Sequence, residues 1–291
     1  MGIPFLKDDP LRPGEVEETA PGVRRILCDN PSAFTFRGTN TWIIGRGRVA
    51  VLDPGPEDAV HLAAILGALK GEEITHILVS HTHRDHSPGA RALQAATGAP
   101  TYGFGPHRTP PGEGGEGGDH AFRPDVTLAD GAAVEGEDWR LVALHTPGHC
   151  ANHLCFALEG SGALFSADMV MSWSTSVVSP PDGDMAAYMA SLARLRAREG
   201  DRLYLPGHGP PLPRPGPFLA ALAAHRLERE RLVLEALAAQ GAATAEALVP
   251  PVYGPLDPRL VKAASRSLLA HLIKLEAEGA VTREGEVWRR A

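Results

Sequence analysis

Along the first hundred residues the apolar positions fall into short, dense runs whose period changes from one run to the next. Asn40 to Ile44 (NTWII) and Arg48 to Asp53 (RVAVLD) are rich in β-branched and aromatic residues, and Gly45-Arg46-Gly47 between them suits a hairpin. From Pro56 to Lys70 (PEDAVHLAAILGALK) the spacing becomes helical. Val60 and Ala64, with Leu62, Ile65, Leu66 and Leu69, recur between an acidic start and Gly71. This predicts a helix over the sheet. Thr75 to Ser80 (THILVS) is a short buried strand, and Ala90 to Thr97 is a second helix beyond the polar loop HTHRDHSPG.

The second half follows the same plan. Trp139 to Leu144 (WRLVAL) leads to HTPGHC, and His153 to Leu158 (HLCFAL) follows. Ala163 to Ser166 (ALFS) leads to Ala167-Asp168, and Arg202 to Leu205 (RLYL) leads to PGHG. Apolar strands therefore end repeatedly at a His or Asp, and strand C-termini are where α/β sheets gather their ligands. Strands interspersed with helices in both halves predict an α/β fold with two sheets sandwiched between helices, an αββα layering.

Two stretches break the pattern. Residues 106–120, containing PHRTPPGEGGEGGD, are too rich in Gly and Pro to pack and predict an exposed loop, either a surface insertion or a flap over substrate. Pro206 to Phe218 (PGHGPPLPRPGPF) predicts a stiff connector. Beyond it, Ala220 to Gln240 and Val261 to Gly279 are helical, and Ala280 to Arg289 (AVTREGEVWR) reads as a hairpin. The expected division is a catalytic domain at 1–218 and a small winged-helix-like domain at 219–291.

Composition narrows the class only slightly. Apolar residues at 43% and charged residues at 22% are an ordinary globular mix. No run reaches the roughly 18 apolar residues of a membrane span. The start MGIPFLKDDPLRPGEVEETA carries prolines and acids where a secretory leader needs an apolar run, so a cytoplasmic protein is expected. Cys28, Cys150 and Cys155 form no Cys-x-x-Cys pair, which suits a reducing compartment and argues against both a disulfide framework and a structural zinc knuckle. A net charge of -7 disfavours broad attraction to nucleic acid, and from His225 onward ten basic residues merely balance nine acidic ones. No strong DNA-binding signal and no membrane partner follow from this.

The candidate chemistry lies in histidines. His81, His83, Asp85 and His86 stand in one loop as His-x-His-x-Asp-His. Imidazole and carboxylate ligate Zn2+ and similar metals, and a loop can turn alternate side chains toward two centres. Downstream come His149 in TPGH, Asp168 after a strand, and His208 in PGHG. In this order and spacing the motifs resemble those of the metallo-β-lactamase superfamily, over the chain from about Thr39 to His208. The resemblance implies the metallo-β-lactamase sandwich and two metals. It assigns His81, His83 and His149 to the first, Asp85, His86 and His208 to the second, and Asp168 to a bridge. Two Zn2+ are expected, with Mn2+ or Fe as alternatives. A pair of metals roughly 3.5–4 Å apart turns a shared water into a bridging hydroxide nucleophile and steadies the developing oxyanion. Asp85 is the expected catalytic residue, orienting that nucleophile or taking its proton. Asp53, in LDPG, resembles the family's buried aspartate that supports a ligand histidine.

Within the superfamily, zinc β-lactamases carry cysteine where this chain has Asp168, and diiron flavoproteins carry glutamate where it has His83. Both branches are disfavoured. Iron-dependent persulfide dioxygenases share the loop and remain a minor alternative. The segments HRLERERLVLEAL and SLLAHLIKLEAEGAV are similar to the C-terminal region of the lactamase-beta-like protein 2 family, whose members resemble endoribonucleases on single-stranded RNA. The expectation is a dinuclear hydrolase acting on single-stranded RNA, with a small-molecule thioester, lactone or ester hydrolase of glyoxalase II type as the alternative. RNA calls for cations and stacking platforms, and Trp173, Tyr188, Tyr253, His107 and His120 are the candidates to line a cleft. Three positions depart from the family pattern: Cys150 replaces a usual threonine, and Ala167 and Pro88 replace frequent glycines. Winged modules often pack on a neighbouring domain or subunit, so a homo-oligomer is one expected use of the tail.

Overall fold

The computed structural model describes residues 2–112 and 117–291. Part of the segment 106–120 thus lies outside the described residues. The first sheet holds seven strands in chain order: β1 (Val16–Ala20), β2 (Val23–Leu27), β3 (Asn40–Ile44), β4 (Arg48–Leu52), β5 (Glu73–Leu78), β6 (Thr101–Gly103) and β7 (Val126–Thr127). Pairing is antiparallel up to β4 and parallel from β4 to β7. Parallel neighbours need crossovers, supplied by α1 (Ala59–Ala68) and α2 (Gly89–Thr97). Asp58 starts α1 by accepting the Val60 and His61 backbone N–H groups at 2.7 and 3.0 Å, a cap worth about 1 kcal/mol.

The second sheet has six strands, β8 (Ala133–Glu135), β9 (Arg140–His145), β10 (Leu154–Leu158), β11 (Ala163–Ala167), β12 (Leu203–Pro206) and β13 (Leu212–Pro213), again neighbours in chain order. Its one parallel pair, β11 with β12, is crossed by α3 (Met185–Arg196).

Strand alternation sorts side chains into layers. Trp42, Ile44, Ala50 and Leu52 point inward to meet Leu154, Phe156 and Phe165 of the second sheet. Ile43, Val49 and Val51 point outward beneath Ile65 of α1 and Leu93 of α2. On the far side Cys155, Ala157 and Leu164 lie beneath Tyr188 and Leu192 of α3 and Phe218 and Leu222 of α4 (Pro215–Gln240). The αββα order expected from the sequence is the order observed.

Helix α4 begins five residues before the predicted Ala220. Proline at its start lacks only an N–H that the first turn leaves unbonded, so the connector is shorter than its proline content suggested. The helix also crosses residue 219 without a break. Its first half packs on the second sheet, while Val233, Ala236 and Leu237 enter a separate core with α5 (Val249–Tyr253), α6 (Pro258–Ala277) and Trp288. A three-stranded sheet, β14 (Ala243–Thr244), β16 (Val287–Arg290) and β15 (Val281–Glu284) in that order, completes the C-terminal unit. No helix among the described residues is long and apolar enough to cross a membrane.

Candidate metal centre

Asp53 ends β4 in a left-handed conformation, φ 52°, which turns its carboxylate across the neighbouring β5. There it accepts the Ser80 backbone N–H at 2.7 Å and the Ser80 hydroxyl at 2.6 Å, and it lies 2.9 Å from His86 Nδ1. Having donated its proton to Asp53, Ser80 Oγ accepts from His81 Nδ1 at 2.9 Å. That leaves His81 Nε2 buried, aprotic and without a hydrogen-bond partner.

The other histidines are fixed in the same way, through the nitrogen that faces away from the centre. His149 Nδ1 lies 2.6 Å from the Val177 carbonyl, and His208 Nδ1 lies 3.1 Å from that of Gly38. Their Nε2 atoms turn inward. His149 Nε2 is 3.0 Å from His83 Nδ1, and His208 Nε2 is 3.3 Å from His86 Nε2. Between the two pairs stands Asp168. One of its oxygens is 3.5 Å from both His149 Nε2 and His208 Nε2, and the other is 3.5 Å from His86 Nε2. Ala167 before it takes φ 42°, which explains why glycine is frequent at this position. Asp85 reaches 3.2 Å from His208 Nε2 and keeps part of its side chain open to the cavity.

Two glycines make this closeness feasible. A Cβ on Gly207 would stand 2.4 Å from Asp168 Oδ1 and 2.7 Å from His86 Cε1. At Gly148, φ is +139° and a Cβ would meet the Tyr188 backbone nitrogen at 2.4 Å. All seven residues singled out by the sequence therefore converge: His81, His83 and His149 form one group that could hold a metal, Asp85, His86 and His208 form another, and Asp168 stands between them.

Charge divides the groups as well. Burial, then the neighbouring His86 and His83, hold His81 well below the ordinary imidazole range, and burial and His149 push His83 down to about 3. Both are neutral lone-pair donors. In the other group burial again opposes charge, but Asp168 and Asp85 outweigh it, raising His208 to about 9 and His86 well above its usual value. Asp168 and Asp85 are lowered in turn: burial opposes ionisation, and the surrounding His86 and His208 outweigh it. Protons or a cation must balance these buried carboxylates, and a divalent ion does so by replacing the imidazole protons. The unpartnered His81 Nε2 and Asp168 Oδ1, both buried, fit a metal in the same sense. A further cluster of His83, Cys150 and Asp182 fits less well. Burial raises the Cys150 thiol far above its usual pKa, and it donates to Asn152 Oδ1 at 3.1 Å.

A cavity of about 640 Å3 opens above Asp85, His149 and Asp168, with Phe34, Met171 and Val177 on its apolar side. Of the five side chains expected to line a cleft, His107 lines this cavity. Trp173 instead stacks on Phe36 with ring centroids 4.9 Å apart. Tyr188 is wholly buried on the inner face of α3, Tyr253 packs in the C-terminal core beneath Arg229, and His120 rests edge-on against His107. The segment 106–120 also departs from expectation at both described ends. His107 Nδ1 is 2.9 Å from Thr82 Oγ1, Gly117 O accepts the Arg84 N–H at 2.8 Å, and Asp119 accepts the Ser87 hydroxyl at 2.8 Å. At Gly118 the glycine marks a close backbone approach beside the His-x-His loop: the His107 ring fills the place its side chain would take.

Sequence reasoning missed the supports. Ser80, next to His81, carried a readable signal as a hydroxyl abutting a ligand. Gly38 and Val177 act through carbonyls and carried none. Asn152 donates to Thr82 Oγ1 at 2.8 Å and Gly105 O at 3.0 Å, joining the two sheets beside the site.

The family model of the metallo-beta-lactamase superfamily matches residues 34–208, more than half of the chain. The chain belongs to the metallo-beta-lactamase superfamily. A second model, the beta-lactamase associated winged helix domain, matches residues 244–288. As a metallo-beta-lactamase-fold enzyme of the hydrolase class, the chain is similar to the lactamase-like protein ptaB of Pestalotiopsis fici, 30% identical over 91% of this chain and 82% of that one. It is also similar to the atrochrysone carboxyl ACP thioesterase AgnL7 of Paecilomyces divaricatus, 34% identical over 77% of this chain and 67% of that one. Among solved structures, a beta-lactamase domain protein from Burkholderia ambifaria superposes with a TM-score of 0.81 at 25% identity, covering 99% of this chain and 97% of that one. None of these names refers to RNA.

Proposed function

We propose that this metallo-beta-lactamase-fold enzyme hydrolyses a small-molecule thioester, with acyl carrier thioesters as the leading class. In this reading His81, His83 and His149 hold one divalent ion, Asp85, His86 and His208 hold another, and Asp168 bridges them. The observation that carries it is the placement of Asp168, 3.5 Å from His149 on one side and from His208 and His86 on the other. Two Zn2+ suit this mixed imidazole and carboxylate set, and Mn2+ or Fe suit it also.

Bound there, such ions supply an acidified water and polarise a carbonyl oxygen. The protein's own groups do the rest. Asp85, partly open to the cavity, orients the attacking water and accepts its proton. Asp53 holds His86 directly and His81 through Ser80, so the ligand set is built before substrate arrives. Phe34, Met171 and Val177 take up the acyl portion and exclude water from it.

Support for a thioester over RNA comes from two directions. Trp173, Tyr188 and Tyr253 are each engaged elsewhere, so the stacking platforms that single-stranded RNA uses are not offered by them. Relatives at 34% identity are named as ACP thioesterases. Three buried free cysteines support placing the activity in a reducing compartment such as the cytoplasm.

The test is turnover of acyl thioesters, lactones and a labelled single-stranded RNA by metal-loaded protein, with Asp168→Ala as control. Thioester hydrolysis lost in the variant is the expected result. Metal-dependent RNA cleavage with thioesters left intact overturns the reading.

A further inference from the structure

The outer wall of the cavity is basic. Arg259, Lys262 and Arg266 stand at i, i+3 and i+7 on α6, one helical face, and all three line the same cavity whose floor is the His and Asp cluster. They span about 10 Å along the helix axis. The stripe is notable because the chain as a whole carries -7. Ala263, between Lys262 and Arg266, also faces the cavity and leaves room beside them.

Arg259 keeps 79% of its side chain exposed while Asp257 accepts from its guanidinium at 2.6 Å. Arg266 Nε donates to Ser179 Oγ at 2.9 Å, which ties α6 to the loop whose Val177 carbonyl holds His149. The stripe is thereby set in a fixed relation to the centre. Several cations on one rigid face suit a phosphate, with its multiple charged oxygens, better than a single carboxylate.

We infer that Arg259, Lys262 and Arg266 form an anchoring site for a phosphate on the thiol arm of the substrate, a pantetheine-type arm, while its acyl end lies at the His and Asp cluster. This rests on the thioester reading for the identity of the arm. The apolar wall takes the acyl group, and the basic wall takes the leaving thiol's far end. Selectivity among thioesters then comes largely from the C-terminal unit.

Calorimetric titration of the zinc-loaded full chain with 4′-phosphopantetheine and with pantetheine tests this without requiring turnover, so it stands apart from the thioesterase assay. Both ligands carry the thiol and differ in the phosphate alone. The phosphate is expected to tighten binding by about tenfold or more, with the advantage shrinking as salt rises. The double variant Arg259→Gln, Lys262→Gln should erase that advantage while leaving pantetheine binding unchanged. Equal affinities in the wild type overturn the proposal. So does a phosphate advantage that survives undiminished in the double variant, since the phosphate then does not depend on Arg259 and Lys262. A single-stranded oligoribonucleotide that binds more tightly than phosphopantetheine and loses its affinity in the double variant overturns it in favour of nucleic acid.

Discussion

His86 Nδ1 lies 2.9 Å from Asp53 Oδ2, and the same oxygen accepts the hydroxyl of Ser80 at 2.6 Å. One carboxylate therefore orients His86 at first hand and His81 through Ser80, in two different ligand groups. Replacing it with alanine is expected to weaken binding of both metals by about 10–100-fold. Competition with a chromogenic chelator measures this. Loss confined to one metal would contradict the shared support.

Asp168→Ala removes the group placed between the two sets. Bound metal should fall below two ions per chain by elemental analysis, and turnover should drop by at least about a hundredfold. A variant that keeps both metals and full activity would refute the bridging assignment.

Gly207→Ala places a Cβ 2.4 Å from Asp168 Oδ1 and 2.7 Å from His86 Cε1. Overpacking of this kind costs about 1–3 kcal/mol. Here it should expel the metal held by Asp85, His86 and His208 before that held by His81, His83 and His149. Metal stoichiometry near one with the fold retained, read by circular dichroism, is the expected result; unaltered stoichiometry would count against it.

His61 gives a pH signature away from the metal. Burial pushes it down to about 4, with Asp58 partly opposing, and its Nε2 lies 2.7 Å from Thr41 Oγ1. The unfolded chain takes up this proton near pH 6.5, the folded chain only near pH 4. Its contribution is thus complete above about pH 6.5 and lost as pH falls toward 4, amounting to about 3 kcal/mol. Denaturant midpoints across that window should fall less steeply in His61→Gln. Parallel profiles for the two proteins would show that His61 is not the group responsible.

Much of this fold was legible in period alone. The runs NTWII and RVAVLD became β3 and β4, and His81, His83, Asp85, His86, His149, Asp168 and His208 converge, whereas His145, also at a strand end, stacks on Phe104. What escaped was structure whose burial is polar. β2 (VRRIL) is wholly buried although two of its five residues are arginines. Arg25 is satisfied by Asp9 at 2.8 Å and Arg24 by Glu72, partners far off in sequence. Helix α3 was missed because small residues and arginines interrupt its apolar face, although Tyr188, Leu192 and Leu195 fill a core. At Gly118 the close packing went unread because a glycine tolerated for freedom and one required for closeness look identical in a sequence.

The residues of the cluster come from both sheets: His81 to His86 follow β5 in the first, while His149, Asp168 and His208 follow β9, β11 and β12 in the second. His86 and His208, whose Nε2 atoms meet at 3.3 Å, are 122 residues apart. An ion held between them would act as a clasp on the halves of the sandwich, closing a loop of more than a hundred residues, for which chain entropy alone is worth about 4–5 kcal/mol. Reactivity and cohesion are then the same asset, and a cell short of metal would lose the enzyme to proteolysis as well as to idleness.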